Sequence, residues 1–283
     1  MKKILILGSS GLLGSNLYKI LKNNFQVFHN GIKKRIYNIH DIDELNYLVK
    51  KYKPDLIINC VAITNIDFAE KNKKKTYNTN VKLIKNLIEI KKVYKFWLVH
   101  FSSDSFYNNK KKSRETSKKI FPNYYSKTKY LSDILARKHG LVLRTNFFGF
   151  SKNHKTFTDF IYESFLNKKK FYLFNDIFFS GIGLITLCKI LKKILSNNWG
   201  ASGVYNLSSR GCISKSKFGI LFAKYLKIYN KNFKAINSKK ILKVKRSNYM
   251  CMNVDKFEKE FKISLPNIKD ELINEAKNYL KND

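Results

Sequence analysis

The chain has 283 residues, of which 44% are hydrophobic and 27% charged, and its 56 Lys and Arg against 20 Asp and Glu give a formal net charge of +36. This apolar content is enough for a sizeable core and excludes an intrinsically disordered chain, and no apolar run approaches the roughly 18 residues of a membrane-spanning helix. The first apolar run ends at Gly8, too early for the hydrophobic region of a signal peptide, so the sequence predicts a cytoplasmic protein without a membrane segment.

Apolar strands alternate with segments of helical periodicity over the first half of the chain. Strands are predicted at residues 3–7, 26–29, 56–59, 96–101 and 141–144, and helices at residues 12–21, 41–51, 76–90 and 124–138. The order is less regular afterwards, with helices near residues 157–166, 184–195, 214–226 and 268–280 and strands at residues 171–174 and 204–207. Short apolar strands that alternate with helices are typical of the parallel sheet of an α/β protein.

Three glycines recur at every third position directly after the first strand, in Gly8-Ser9-Ser10-Gly11-Leu12-Leu13-Gly14. The first permits a tight turn, the second lets the backbone approach a pyrophosphate, and the third lets the helix pack on the strand. Amides at the start of the helix then face the phosphates. With a strand before it and a helix after it, the turn predicts dinucleotide binding. We therefore predict a Rossmann-type doubly wound parallel sheet over residues 1–150 and a smaller substrate-binding part over residues 151–283, and leave open whether chain is exchanged between the two.

The position that distinguishes NAD from NADP carries no acid. In Rossmann sites, a carboxylate about 20 residues after the glycine turn binds the ribose 2′-hydroxyl of NAD. Here Asn30 stands in that segment, and Lys33, Lys34 and Arg35 follow. A missing carboxylate and nearby cations suit a 2′-phosphate, so NADP is favoured. NAD stays open, because these residues also fit the general excess of lysine.

Tyr125 and Lys129 are four positions apart in a predicted helix and therefore share one face of it. An ammonium beside a phenol lowers the pKa of the phenol, so the tyrosine can act as a general acid or base at neutral pH. The preceding strand ends at Ser102-Ser103-Asp104, and the carboxyl end of a parallel strand faces the ligand crevice. We predict that Tyr125 and Lys129 form a catalytic group with a serine hydroxyl at the end of this strand.

The remaining charged and sulfur-containing residues indicate no further site. Only six basic residues are arginine, the residue that dominates specific nucleic-acid contacts, and the lysine runs at residues 73–75, 110–112 and 168–170 are predicted in loops. We interpret the charge as a solvated lysine surface that attracts anions without specific nucleic-acid binding. Cys60, Cys188, Cys212 and Cys251 show no ligand spacing, so unpaired thiols and no metal site are predicted.

These motifs resemble those of the extended short-chain dehydrogenases/reductases and, within that group, of the dTDP-4-dehydrorhamnose reductases. The stretch PDLIINCVAITNIDFAE at residues 54–70 is similar to the family's PDvvINaAAyTxVDxAE. The glycine turn fits GxxGxxG, and Tyr125 to Lys129 fits YxxxK. Ser102-Ser103-Asp104 resembles the family's STD, and Asp41-Ile42-Asp43 resembles its acidic segment near the adenine.

The resemblance implies NADPH-dependent reduction of a nucleotide-linked 4-keto-6-deoxy sugar during the synthesis of surface polysaccharide precursors. Tyr125 would donate the proton, Lys129 would hold the nicotinamide ribose, and Ser103 would orient the carbonyl. The implied cofactor-binding residues are Gly8, Ser10, Gly11, Leu12, Leu13, Asn30, Lys33, Asp41, Ile42, Cys60, Val61, Ala62, Thr64, Asn80, Tyr125 and Lys129. The implied substrate-binding residues are Ser103, Asp104, Ser105, Thr145, Asn146, Phe147 and Arg246. A homodimer is expected only at the level of the family.

The chain departs from the family pattern mainly where sugar and nucleotide would bind. Ser126 replaces a glycine, the segment after Asp104 differs, and residues 178–182 and 246–250 lack the family's prolines. The resemblance therefore specifies the type of reaction more closely than it specifies the substrate. Two alternatives stay open, namely a nucleotide-sugar epimerase or dehydratase of the same group, and a non-catalytic dinucleotide-binding regulatory subunit, because a fold alone does not establish chemistry.

Overall fold

The structure is a computed structural model that describes residues 1–32, 35–151 and 156–282. The strands are β1 (Lys3–Leu7), β2 (Gln26–His29), β3 (Gly31–Ile32), β4 (Arg35–Ile36), β5 (Leu56–Asn59), β6 (Trp97–Ser103), β7 (Gly140–Thr145), β8 (Phe147–Phe148), β9 (Phe171–Phe174), β10 (Phe178–Phe179), β11 (Ile182–Gly183), β12 (Gly203–Leu207), β13 (Ile213–Ser214), β14 (Phe233–Ile236) and β15 (Tyr249–Met250). The α-helices are α1 (Leu12–Leu21), α2 (Ile42–Tyr52), α3 (Ile66–Lys71), α4 (Lys73–Tyr77), α5 (Leu83–Val93), α6 (Tyr124–Ala136), α7 (Phe157–Leu166), α8 (Leu184–Asn197), α9 (Lys215–Tyr225), α10 (Asp255–Phe261) and α11 (Ile268–Asn282). Among these described residues, no helix has both the length and the apolar character that crossing a membrane requires.

The chain forms two compact units, and each is discontinuous in sequence. The first comprises Met1–Ser103, Phe121–Arg144 and Cys188–Tyr205, and the second comprises Asp104–Ile120, Thr145–Leu187 and Asn206–Asp283. The sequence predicts parts over residues 1–150 and 151–283 and leaves open an exchange of chain between them. The segment at residues 188–205 belongs to the first unit because Trp199 packs on Phe25 and Trp97, with ring centroids 6.3 and 5.3 Å apart.

The first unit is built on a six-stranded sheet with the order β12–β7–β6–β5–β1–β2. β1 pairs in parallel with β2 and β5, and β5 pairs in parallel with β6. Residues 4–7 and 56–59 are buried, as expected for apolar strands that are covered on both faces. The predicted α/β fold with a parallel sheet is confirmed. The strand order reverses between β1 and β5, the place where an open sheet of this kind forms a ligand crevice.

The second unit packs around aromatic side chains. Phe218 and Phe222 are one turn apart on α9 and fully buried, and Phe148 and Phe165 are nearly so. The rings of Phe148 and Phe218 meet edge to face with centroids 4.8 Å apart, a geometry worth about 0.5–1.5 kcal/mol beyond the area that it buries.

A small sheet of the second unit carries a disulfide. β10 lies in the middle, antiparallel to β13 and parallel to β15. Cys212 directly precedes β13 and Cys251 directly follows β15, and the two form a disulfide with their Cα atoms 5.5 Å apart. The prediction of four unpaired thiols is therefore wrong for this pair, because a separation of 39 residues conceals that both flank strands paired with β10. Cys60 and Cys188 are free, as predicted.

Breaking this disulfide is expected to lower the free energy of unfolding. A bridge that closes a loop of 39 residues stabilises a protein by about 2–4 kcal/mol, mainly by constraining the unfolded chain. Guanidinium unfolding without reductant should show this loss for Cys212→Ser, and because Cys212 is exposed, the substitution itself should cost little. Wild-type protein in reductant is the control and should match the variant. An unchanged midpoint for reduced wild-type protein would contradict the bridge.

Two local predictions differ from the structure between β5 and β6. The lysine run at residues 73–75 lies in α4 and not in a loop. The helix predicted at residues 76–90 is interrupted by a π-helical turn at Asn78–Lys82, which buries Thr79, Asn80 and Val81. Apolar periodicity does not reveal the extra residue of a π turn, a feature that is frequent at functional sites.

Candidate active site

A cleft of about 510 Å³ opens beside the turn after β1 and the residues after β5. The glycine turn forms one wall, with Gly8 at a φ of +80° that L side chains rarely adopt and with Gly11 N donating to Gly8 O at 3.0 Å. A Cβ atom on Gly14 would overlap the carbonyl oxygen of Gly8. The glycines thus allow the tight turn and the close packing of α1, as a dinucleotide-binding turn requires.

Many of the predicted cofactor-binding residues line this cleft, namely Gly8, Ser10, Gly11, Asn30, Cys60, Val61 and Ala62. The Asn30 side-chain oxygen accepts a hydrogen bond from Gly8 N at 3.2 Å, so the residue that replaces the acid is tied to the turn itself. Burial raises the pKa of the Cys60 thiol, which therefore stays neutral.

Asp41 and Ile42 directly follow the segment that lines the cleft and stand at the start of α2. The Asp41 carboxylate caps α2 by accepting hydrogen bonds from Asp43 N and Glu44 N at 2.8 and 3.1 Å, and Ile42 is 42% exposed. The cleft is lined instead by the segment just before them, Tyr37, Asn38, Ile39 and His40. The sequence does not indicate this segment, because the motif that resembles the family's acidic segment begins only at Asp41. An aspartate directly before a helix also fits a capping pattern.

The other predicted cofactor residues lie outside the cleft wall. Asn80 accepts a hydrogen bond from Ile63 N at 2.8 Å, and its amide nitrogen donates to Ile63 O at 3.2 Å and to Thr128 Oγ1 at 3.1 Å. It therefore ties the loop after β5 to α6. Leu12 begins α1, Leu13 is buried in the core and Thr64 is exposed, whereas Lys33 lies outside the described residues.

Replacing Gly14 with alanine is expected to weaken dinucleotide binding at least about tenfold, since a Cβ atom there would force the backbone of Gly8 to move and with it the amides that face the phosphates. Titration of NADPH fluorescence would measure the change. Ser15→Ala, at the next position of α1, adds no atom and should bind NADPH as wild-type protein does. Equal affinity for the two variants would contradict a tight phosphate turn.

Capping interactions fix the start of the helix that carries Tyr125. Asn123 Oδ1 accepts a hydrogen bond from Ser126 N at 2.9 Å, and the Ser126 hydroxyl donates to Asn123 O at 2.8 Å. Glu70 Oε2 accepts from Tyr124 N at 2.8 Å, which places a carboxylate at the positive end of the helix dipole. Ser126, which replaces the family's glycine, is thus bonded back to the helix cap.

The first unit contains all three predicted catalytic residues. Ser103 ends β6 and is 5% exposed, whereas Tyr125 is half-buried near the start of α6. Lys129, one turn further, is 3% exposed, and its Nζ donates to Phe101 O at 2.7 Å. The ammonium is therefore held beside the end of β6. Burial lowers the pKa of Lys129 to about 8, an effect that the charge of Asp133 opposes.

His100 joins the sheet to α6 as a neutral ring. Because Asn59 Oδ1 accepts from Val61 N at 3.0 Å, the Asn59 amide nitrogen is the group that faces His100 Nδ1 at 3.2 Å and donates to it. His100 Nε2 then carries the hydrogen and donates to Ser132 Oγ at 3.1 Å. Burial, and next the charge of Lys129, hold the pKa of His100 well below its usual value. This histidine is structural.

The second unit contains the other predicted substrate residues. Asp104 Oδ2 accepts from Asn146 Nδ2 at 2.8 Å, and Ser105 O accepts from Ser247 Oγ at 2.8 Å, next to Arg246. Thr145 is buried, and its hydroxyl has no hydrogen-bond partner among the described residues. Phe147 pairs with Ile182 in a two-stranded sheet.

One cation of this unit, Lys215, belongs to none of the motifs in the sequence. The charge of Lys215 interacts with those of Arg246 and Asp104, although its position after a short strand looked like that of any surface lysine. Within the described residues, no group of three or more His, Cys, Asp or Glu side chains is arranged to hold a metal ion.

Comparison with known proteins decides the family. Residues 1–280 match the family described as the RmlD substrate binding domain. The chain belongs to this family. The match covers the glycine cleft, the helix with Tyr125 and Lys129, and the predicted substrate residues of the second unit, and it confirms the resemblance to the extended short-chain dehydrogenases/reductases.

Relatives of this RmlD-type chain include two curated proteins of similar length. The spore coat polysaccharide biosynthesis protein SpsK of Bacillus subtilis is 26% identical over 225 residues, which cover 77% of each chain. A dTDP-4-dehydrorhamnose reductase of Aggregatibacter actinomycetemcomitans is 24% identical over 229 residues, which cover 78% of each chain. A crystal structure of dTDP-4-dehydrorhamnose reductase from Bacillus anthracis in complex with NADP matches 100% of both chains with a TM-score of 0.88 and 19% identity, which shows that the fold is shared.

Proposed function

We propose that this protein is an NADPH-dependent reductase of a nucleotide-linked 4-keto-6-deoxy sugar and works in the cytoplasm on precursors of surface polysaccharide. The observation that carries the proposal is the placement of Ser103, Tyr125 and Lys129 in one unit, with Lys129 Nζ bonded to Phe101 O. That unit also holds the glycine cleft. One relative is a dTDP-4-dehydrorhamnose reductase, which supports the reaction, and another is a spore coat polysaccharide biosynthesis protein, which supports a role in surface polysaccharide.

The cleft fits a dinucleotide. The backbone at Gly8 and Gly11 lines it with no side chain in the way, and a Cβ atom on Gly8 would meet Val61 Cγ2 at 3.0 Å, so only glycine leaves this wall open. The residue in the place of the usual ribose-binding acid is Asn30, which favours NADP. The related Bacillus anthracis enzyme was crystallised with NADP.

In the proposed reaction, residues of the first unit would transfer one proton to the carbonyl oxygen of the keto sugar and would hold that oxygen in place. When bound, the nicotinamide supplies the hydride. The Tyr125 phenol donates its proton to the carbonyl oxygen as the negative charge develops there. The Ser103 hydroxyl donates a hydrogen bond that orients this oxygen, and the Lys129 ammonium stabilises the phenolate that remains on Tyr125.

A panel of dTDP-, UDP-, GDP- and CDP-linked 4-keto-6-deoxy sugars would test the proposal, with NADPH absorbance as the readout and NADH alongside. We expect stoichiometric oxidation of NADPH with at least one of the sugars and slower oxidation of NADH. A purified protein that retains NAD and converts nucleotide sugars without net consumption of NADPH would instead indicate an epimerase or dehydratase.

A further inference from the structure

The two cysteines of the disulfide differ in their exposure to solvent. Cys212 is exposed, whereas Cys251 is only 2% exposed. Thiol–disulfide exchange begins when a thiolate attacks one sulfur of the bridge, and its rate depends on access to that sulfur. An incoming thiolate therefore reaches Cys212, and Cys251 is the sulfur that leaves.

Cys212 lines a cleft that has room for the rest of such a thiol. The cleft has a volume of about 400 Å³, within the range of about 300–1,000 Å³ that is usual for small-molecule sites. Its wall also contains Lys217 of α9, together with Lys269 and Asp270 of the first turn of α11. All of these residues belong to the second unit. The cleft thus joins an exposed disulfide to a group of charged side chains.

The four charged side chains in the described wall of this cleft fall into two groups. The carboxylate of Glu258 accepts hydrogen bonds from Arg210 Nε at 2.9 Å and from Arg210 Nη2 at 2.7 Å, so this guanidinium is already paired. Lys217, Lys269 and Asp270 are exposed, and none of them forms an ion pair in the part of the chain that the structure describes. The cleft therefore offers two ammonium groups and one carboxylate to a ligand.

Backbone hydrogen bonds fix both sides of the disulfide. Ile268 N donates to Arg210 O at 2.9 Å, which ties the chain just before Cys212 to the start of α11. Cys251 O accepts from Ser113 N at 2.8 Å, so the backbone at Cys251 is held without the bridge. After reduction, the Cys251 thiol therefore stays close to Cys212 and can close the bridge again.

We propose that Cys212 is a site of thiol–disulfide exchange with an anionic thiol peptide of the glutathione type. Glutathione carries two carboxylates and one ammonium, which complement the charges of Lys217, Lys269 and Asp270. Complementary charges steer the encounter and suppress wrong partners, so the cleft selects this thiol over a neutral one. None of these residues takes part in the proposed reduction of a keto sugar.

The exchange proceeds in two steps. A glutathione thiolate attacks Cys212 Sγ, a bond forms between these two sulfurs, and the bond between Cys212 and Cys251 breaks. The electron pair of the broken bond stays on Cys251, which takes a proton from water. A second glutathione thiolate then attacks the glutathione sulfur of the mixed disulfide and releases the Cys212 thiolate, which is also protonated. Two glutathione molecules are oxidised to one disulfide, and the two cysteines are reduced.

Reduction of the wild-type bridge by glutathione and by the neutral thiol 2-mercaptoethanol, at equal thiolate concentrations, tests the site. Acid quenching, alkylation and peptide mass spectrometry measure the thiols of Cys212 and Cys251 separately from those of Cys60 and Cys188. The ratio of the two rates cancels any change in the reactivity of the bridge itself. Raising the ionic strength should lower this ratio for wild-type protein, because salt screens exposed charges.

Removing the two ammonium groups should lower the same ratio. For a variant with both Lys217→Met and Lys269→Met, we expect a decrease of about 2- to 30-fold, the range given by the loss of two exposed ion pairs. The control variant carries Lys224→Met and Lys227→Met, which remove two exposed lysines near the other end of α9. It has the same change in net charge and should keep the wild-type ratio.

Cys251→Ser removes the thiol that closes the bridge, so oxidised glutathione should leave one glutathionyl group on Cys212, as intact-protein mass spectrometry would show. In the Cys212→Ser variant, the buried Cys251 should stay unmodified. Three outcomes overturn the proposal. They are an equal ratio of rates for the Lys217 and Lys269 variant and its control, a bridge that neither thiol reduces in the folded protein, and attachment of glutathione to Cys251 instead of Cys212.

Discussion

Replacing Tyr125 with phenylalanine is expected to lower kcat for the keto sugar by about 10²- to 10⁴-fold, the usual contribution of a positioned general acid. The phenol is half-buried at the start of α6, and without its hydroxyl the developing oxyanion loses the proton that Tyr125 is proposed to donate. Because the substitution removes only the hydroxyl and keeps the aromatic ring, KM should change little. A loss of kcat at constant KM identifies an interaction made in the transition state.

Tyr124→Phe is the matched control for this experiment. Tyr124 is the preceding residue and is also half-buried, and its backbone N–H, which the substitution keeps, is the group that donates to Glu70. This variant should retain wild-type kcat. If instead Tyr125→Phe preserved the biological activity of the protein, the non-catalytic regulatory subunit would be the better interpretation.

The features that the sequence predicts correctly depend on neighbouring residues in the chain. The glycine turn, the strand before it and the helix after it lie within residues 3–21, and their spacing alone defines the cleft wall. Tyr125 and Lys129 share one helix face by the same local rule. The pattern at Asp41 is local too, since one residue type satisfies both a helix cap and the family's acidic segment, and the structure shows that its carboxylate caps α2.

The features that the sequence does not predict depend on contacts between distant segments. Cys212 and Cys251 meet only because β10 pairs with strands on both of its sides. Lys215 becomes distinct from the other lysines only when β13 and β15 carry it and Arg246 to the same end of the sheet. In a chain with a net charge of +36, the large number of lysines prevents the sequence from indicating which of them the fold partly buries.

The pH dependence of the reaction is expected to report on Lys129. Its pKa of about 8 means that the ammonium is present below pH 8 and is lost as the pH rises further. Since the ammonium stabilises the phenolate of Tyr125, kcat/KM should fall above pH 8, approaching about tenfold per pH unit when one proton controls the rate. A pH profile of NADPH oxidation at saturating cofactor measures this alkaline limb.

Lys129→Arg distinguishes this residue from other groups that titrate in the same range, because a guanidinium stays protonated above pH 12. The variant should lose the alkaline limb near pH 8 even if its maximal rate is lower. If the limb stays in place, a group other than Lys129 causes it.

The free energy of unfolding should change with pH in the opposite direction to the activity. The pKa of Lys129 is lower in the folded chain than its usual 10.5, so between about pH 8 and 10.5 the unfolded chain binds more protons, and this residue makes the fold more stable as the pH rises. Wild-type protein should therefore gain unfolding free energy relative to Lys129→Met in the same pH interval in which it loses activity, a combination that simple alkaline denaturation would not produce.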